Sequence, residues 1–141
     1  MKKVYIIGAL KNPIVPEFTN ALVEAGFDAF SEWYTPGPEA DQYLLDYAKR
    51  RGWSYKRALN SYAAEHIFSF DYKHLQSADL AVMLMPCGKS GHLELGWHLG
   101  QGKPGFILFD SEPERFDLMY RFATDIFFNQ QDLLNALQRF K

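Results

Sequence analysis

The sequence predicts one α/β domain spanning residues 1–141, a three-layer sandwich in which helices cover both faces of a mostly parallel sheet of about five strands. Three observations predict it. Short apolar runs alternate with longer stretches of helical spacing. Two of the runs, Val4–Ala9 and Ala78–Met85, are nearly unbroken, as strands buried on both faces must be. A length of 141 residues is close to the commonest domain size and leaves no room for a second independent core.

Val4 to Ala9 reads as the first strand, closed by Gly8. Pro13 to Ala25 follows as a helix, with Phe18, Leu22 and Ala25 at helical spacing, a proline tolerated in the first turn and Gly26 at the C-terminal cap. Phe27 to Phe30 is a second short strand. Ser31 to Ala40 holds Trp33, Tyr34, Pro36, Gly37 and Pro38 and reads as a rigid loop that exposes two aromatic rings. Helices are expected over residues 40–50 and 55–76, interrupted near Gly52, with a bend or break in the second near Phe68 to Phe70. Ala78 to Met85 is the strongest buried-strand signal, and Pro86 to Gly91 is a turn-rich connection. Then come a helix from His92 to Gln101 capped by Gly102, a strand from Pro104 to Phe109, a fifth strand over Asp125–Phe128 and a last helix capped by Asn129. Such βα alternation implies a flavodoxin- or Rossmann-like sheet with ligands outside the carboxyl ends of its strands, at the loops after the first and third.

Composition excludes several classes. A formal charge of −2 and a pI near 6.1 argue against a protein that coats nucleic acid, since that task needs a basic excess. Any nucleotide partner is expected to be small. Cys87 is the only cysteine, so an intrachain disulfide and a multi-cysteine metal site are excluded, and a reducing, cytoplasmic location is expected. No apolar run approaches the roughly 20 residues of a membrane span, and the apolar N-terminus meets Lys11, Asn12 and Pro13 without a cleavage pattern. The 16% aromatic share is enough to wall a site for a planar ligand.

Glu94 falls in the expected first turn of the helix after the strongest strand, where the helix N-terminus favours an ionised carboxylate. Acidic residues also occupy first turns for helix stability alone. Ser90 and Gly91 precede it and offer a cap and free backbone N–H groups for a hydroxyl or phosphate oxygen.

Three segments, Ala78-Asp79-Leu80, Gly91-His92-Leu93-Glu94-Leu95-Gly96-Trp97 and Gly102-Lys103-Pro104, occur in an order and spacing that resemble the nucleoside 2-deoxyribosyltransferase family and its nucleotide N-glycosidase relatives. The resemblance covers Asp71 to Leu108 and the opening strand, and does not extend to Ser31–Tyr62. It implies an enzyme without a cofactor that breaks an N-glycosidic bond of a (deoxy)nucleoside or nucleoside monophosphate. Glu94 is then the nucleophile on the anomeric carbon, and the sugar passes to another base or to water. It further implies that Asp71 protonates the departing base or positions it; Asp71 also reads as a surface or helix-end carboxylate. Family members commonly assemble so that one subunit completes another's pocket, so a homodimer or higher homo-oligomer is expected.

Two departures stand out. The loop Cys87-Gly88-Lys89-Ser90 lacks the acidic residue that family transferases often carry just before the nucleophile. Gly8-Ala9-Leu10-Lys11-Asn12 is a weak version of the phosphate loop of the hydrolysing relatives. Gly8, Ala9, Gly88, Ser90, Gly91 and His92 are the expected substrate contacts, with Trp33 and Tyr34 either stacking on a base or packing into the fold. No third ligand converges with His92 and His98, so no metal is expected. Leu84 stands where a P-loop before Lys89 requires Gly, and Cys87 has no sequence partner as a nucleophile. Two rival functions remain: a non-catalytic nucleotide-sensing or partner-binding domain of this fold, and a glycohydrolase acting on NAD.

Overall fold

A computed structural model describes all 141 residues. Five strands form one parallel sheet: β1 (Lys3–Ile7), β2 (Asp28–Phe30), β3 (Leu80–Leu84), β4 (Gly105–Leu108) and β5 (Asp125–Phe127). Their spatial order is β2-β1-β3-β4-β5, with Val4 opposite Leu80 and Ala81 opposite Gly105 in register. Six α-helices connect and flank them: α1 (Ile14–Glu24), α2 (Ala40–Arg50), α3 (Tyr55–Leu59), α4 (Tyr62–Ser77), α5 (Lys89–Gly100) and α6 (Gln130–Leu137).

Side-chain alternation along the strands divides the core into two layers. Val4 and Ile6 of β1, with Leu80, Val82 and Leu84 of β3, pack against Val15, Phe18 and Leu22 of α1 and Leu133 and Leu137 of α6. Tyr5, Ile7, Ala81 and Met83 point the other way, onto Leu75 of α4 and Leu95 of α5. All five β3 residues are buried, which explains the unbroken apolar run. No helix is long and apolar enough to cross a membrane.

Polar ties fix the helix ends. Asn129 accepts from the Asp132 N–H at 2.9 Å to cap α6. Lys103 Nζ donates to the carbonyls of Gln76 and Ala78, closing the C-terminal end of α4. The start of β1 is joined to β3 where Asp79 accepts from the Lys3 N–H at 2.9 Å.

Three expectations are corrected. The helix expected over residues 55–76 is two helices, broken at Asn60–Ser61 rather than bent or broken near Phe68–Phe70. Ser61, itself buried, donates to the Ala58 carbonyl and accepts from the Ala64 N–H, ending one helix and starting the next. The expected loop after β2 contains a 3₁₀ turn over Glu32–Tyr34. Finally, α5 starts at Lys89, three residues before the expected His92.

Candidate active site

In this strand order the chain leaves β1 toward β2 and leaves β3 toward β4, so the carboxyl ends of β1 and β3 mark the point where the winding reverses. A cleft of about 430 Å³ opens there. The loop after β1, the Cys87–Gly91 turn, the start of α2 and the middle of α4 form its walls. Glu94, Asp71 and Tyr5 all line it, although they come from α5, α4 and β1, with Asp71 and Glu94 23 positions apart in sequence.

The early start of α5 changes the electrostatics of Glu94. Gly88 is the cap, so Glu94 lies in the second turn, and no acidic residue occupies the first. The helix dipole acts over the first turn and weakens beyond it. Burial prevails and raises the Glu94 pKa to about 7; the nearby Asp71 charge also raises it, while hydrogen bonding from the Tyr5 hydroxyl pulls it down. The expected ionisation by the helix end is therefore corrected: Tyr5 is the group that favours the carboxylate. Asp71 is raised to about 6 by burial. Tyr5 is pushed strongly upward by burial and by the charge of Glu94, and stays a neutral donor. The two carboxyl groups titrate as an interacting pair that can share one proton near neutrality.

Of the expected contacts, Gly8, Ala9, Trp33, Gly88, Ser90 and Gly91 line the cleft together with Lys11 and Lys89. Trp33 is held rather than loose. Its indole N–H donates to the Ile6 carbonyl at 2.7 Å, and its ring lies 3.5 Å from the position a β-carbon on Gly8 would take. Tyr34 does not line the cleft; it turns edge-on to Trp33, with ring centres 5.9 Å apart, and packs on the α1 side of the core.

His92 is also displaced from the cleft, because two helical steps of about 100° put it nearly opposite Glu94. Its Nδ1–H donates to the Gly88 carbonyl at 2.7 Å, so Nε2 accepts from the Tyr120 hydroxyl at 3.0 Å. His98 is fully buried and donates through Nε2 to the Pro104 carbonyl, a fastening of α5 to β4. No three His, Cys, Asp or Glu side chains converge on a metal position. The Cys87 thiol is pushed up by burial and by the Glu94 charge, while the nearby Gly88 and Gly91 backbone N–H groups act in the opposite direction. No side-chain hydrogen bond caps α5, and the Lys89 and Ser90 N–H groups have no intrahelical acceptors at the cleft wall.

Two wider depressions, of about 550 and 580 Å³, flank Tyr120, and neither contains Glu94, Asp71 or Tyr5.

The fold is that of a known deoxyribosyltransferase. The chain matches a 2-deoxyribosyltransferase from the psychrotolerant bacterium Bacillus psychrosaccharolyticus with a TM-score of 0.65 and 20% identity, covering 94% of this chain and 90% of that one. It also matches a CMP N-glycosidase from Clostridium botulinum with a TM-score of 0.59 and 16% identity, over 97% of this chain and 99% of the other. At such identities the likeness establishes the deoxyribosyltransferase fold and leaves the chemistry to the residues of this chain. No protein-family model matches the sequence, and neither does any curated protein.

Sequence reasoning missed Tyr5. It lies inside the apolar strand Lys-Val-Tyr-Ile-Ile, and a hydroxyl among residues that otherwise bury completely was the available signal.

Proposed function

We propose that this protein cleaves the N-glycosidic bond of a (deoxy)nucleoside or nucleoside monophosphate, with Glu94 as nucleophile and transfer of the sugar to another base or to water. The observation that carries the reading is the cleft that joins two raised carboxyl groups, Glu94 and Asp71, to a buried tyrosine donor. Its volume falls within the roughly 300–1,000 Å³ of small-molecule sites, and the fixed Trp33 ring supplies an apolar wall. The two structural neighbours, one a deoxyribosyltransferase and one an N-glycosidase of CMP, support the same chemistry.

In this mechanism the Glu94 carboxylate attacks the anomeric carbon as the C–N bond breaks and its electron pair leaves with the base. Asp71 gives the departing base its proton. Tyr5 holds Glu94 ionised and in line for attack. The glycosyl ester on Glu94 is then opened by an acceptor nitrogen or a water oxygen, whose proton returns to Asp71. The Lys89 and Ser90 N–H groups, with the ammonium groups of Lys11 and Lys89, form the part of the wall suited to a sugar hydroxyl or a phosphate.

Chromatography of wild-type protein and Glu94→Ala with deoxynucleosides, their monophosphates and NAD, with and without an acceptor base, tests this reading. Free or exchanged base with the wild type alone is the expected result. Nicotinamide release alone would assign NAD as substrate, and retention of the nucleotide without turnover would make this a binding domain.

A further inference from the structure

The net charge of the whole chain conceals a local excess. Of 15 Lys and Arg, five (Lys49, Arg50, Arg51, Lys56 and Arg57) fall within nine residues, and no Asp or Glu occurs between Asp46 and Glu65. The remaining ten cations face 17 acidic residues. The nine residues form the junction of α2 and α3, which turns at Gly52 with φ 68° and restarts at the Ser54 cap. All five basic side chains are exposed.

Trp53 arranges this charge. The Arg51 and Arg57 guanidinium carbons lie 5.0 and 4.8 Å from the indole centroid. Arg51 also donates to the Tyr47 hydroxyl at 2.7 Å, and Tyr47 meets Trp53 edge-on at 5.5 Å. Aromatic rings thus hold the two guanidinium groups in place without neutralising them, which leaves fixed charges with donors free for oxyanions. Tyr55 and Tyr62, the first residues of α3 and α4, stand 82% and 90% exposed.

We propose that the α2–α3 junction is a docking surface for single-stranded nucleic acid, in which the basic side chains take the phosphates and Tyr55 and Tyr62 stack on unpaired bases. Charge complementarity and the free aromatic faces select this partner. A five-residue α3 is too short to read a duplex groove. An anionic membrane fits less well, because Leu59 is the one exposed leucine between Lys49 and Tyr62 and an interfacial helix buries a whole apolar face. The proposal is independent of the glycosidic reaction.

Fluorescence anisotropy of labelled 15-nucleotide single-stranded DNA and RNA, read at 50 and 200 mM salt, tests it. Saturable binding is expected to weaken about 20- to 130-fold over that range, as three to five phosphates are neutralised. The double variant Arg51→Glu/Arg57→Glu weakens it at least ten-fold. Because those residues pack on Trp53, Lys49→Glu/Lys56→Glu provides a second test with an unchanged melting temperature and the same direction of loss. Equal binding by wild type and both variants overturns the proposal. So does preferential binding to phosphatidylserine vesicles, or a low-salt self-association seen by sedimentation that both variants abolish without any oligonucleotide binding.

Discussion

Gly91 lies so close to Cys87 that a β-carbon at position 91 would overlap the cysteine sulfur and stand 2.9 Å from Ile7 Cγ2. The Gly91 backbone also acts on that sulfur electrostatically, lowering the pKa that burial raises. This contact seats the first turn of α5 against the end of β1, three residues before Glu94. Gly91→Ala is expected to lower stability by about 1–3 kcal/mol, the usual cost of overpacking, and to reduce base release by shifting Glu94. Thermal unfolding and turnover of the purified variant check both; unchanged values for each would show that α5 is not fixed by this contact.

The paired carboxyl groups predict a bell-shaped dependence of turnover on pH. The reactive form carries one proton between Glu94, raised to about 7, and Asp71, raised to about 6. The maximum is expected between those values, because the doubly protonated form lacks a nucleophile and the doubly ionised form lacks an acid. Asp71→Asn is expected to lose the alkaline limb and about 100- to 10,000-fold in rate with ordinary bases. It should lose far less with a 7-methylated purine, which departs without needing a proton. Equal losses on both substrates would remove Asp71 from acid catalysis.

Tyr5→Phe keeps the ring against Phe30, now 5.3 Å away between centroids, and deletes the hydroxyl that favours ionised Glu94. The variant is expected to fold, to turn over more slowly and to show the upper limb of its pH profile displaced to higher pH. A slower enzyme with an unmoved profile would make Tyr5 a packing residue alone.

Glu94→Gln is expected to trade activity for stability in a manner that depends on pH. Burial raises the folded pKa from the ordinary 4.5 to about 7, so the folded state holds this proton more tightly than the unfolded state does. The stability linked to the proton is complete below the unfolded value and is lost as pH rises through about 7. The variant, which never ionises, is therefore expected to exceed the wild type by roughly 2–3 kcal/mol above pH 8 and to match it near pH 4. Melting temperatures across that range check the sign, and a gain confined to acidic pH would contradict it.

Much of this was legible in the sequence, and the residues show why. The strands around Val4 and Leu80, the glycine-capped α1 and the Asn129 cap of α6 are local or periodic signals, each written within a few residues. Glu94 and Asp71, singled out through a resemblance in motif order, and Trp33, singled out by its place in the loop after the second strand, line one cleft with Gly8, Gly88 and Ser90. The break at Ser61 was missed because its buried hydroxyl acts on two neighbouring turns, which periodicity does not register.

The sequence by itself determined the order of elements, the doubly buried strands and the presence of a carboxylate after the third strand, since these follow from side-chain polarity at fixed spacing. Tertiary structure alone decided which groups meet: it brought Tyr5 and Asp71 to Glu94, turned His92 and Tyr34 away and set the Arg51 and Arg57 guanidinium groups over the Trp53 ring. The physical reason is that helix start points and crossover geometry set side-chain direction, while burial, a property of the assembled layers, sets the pKa of a carboxylate.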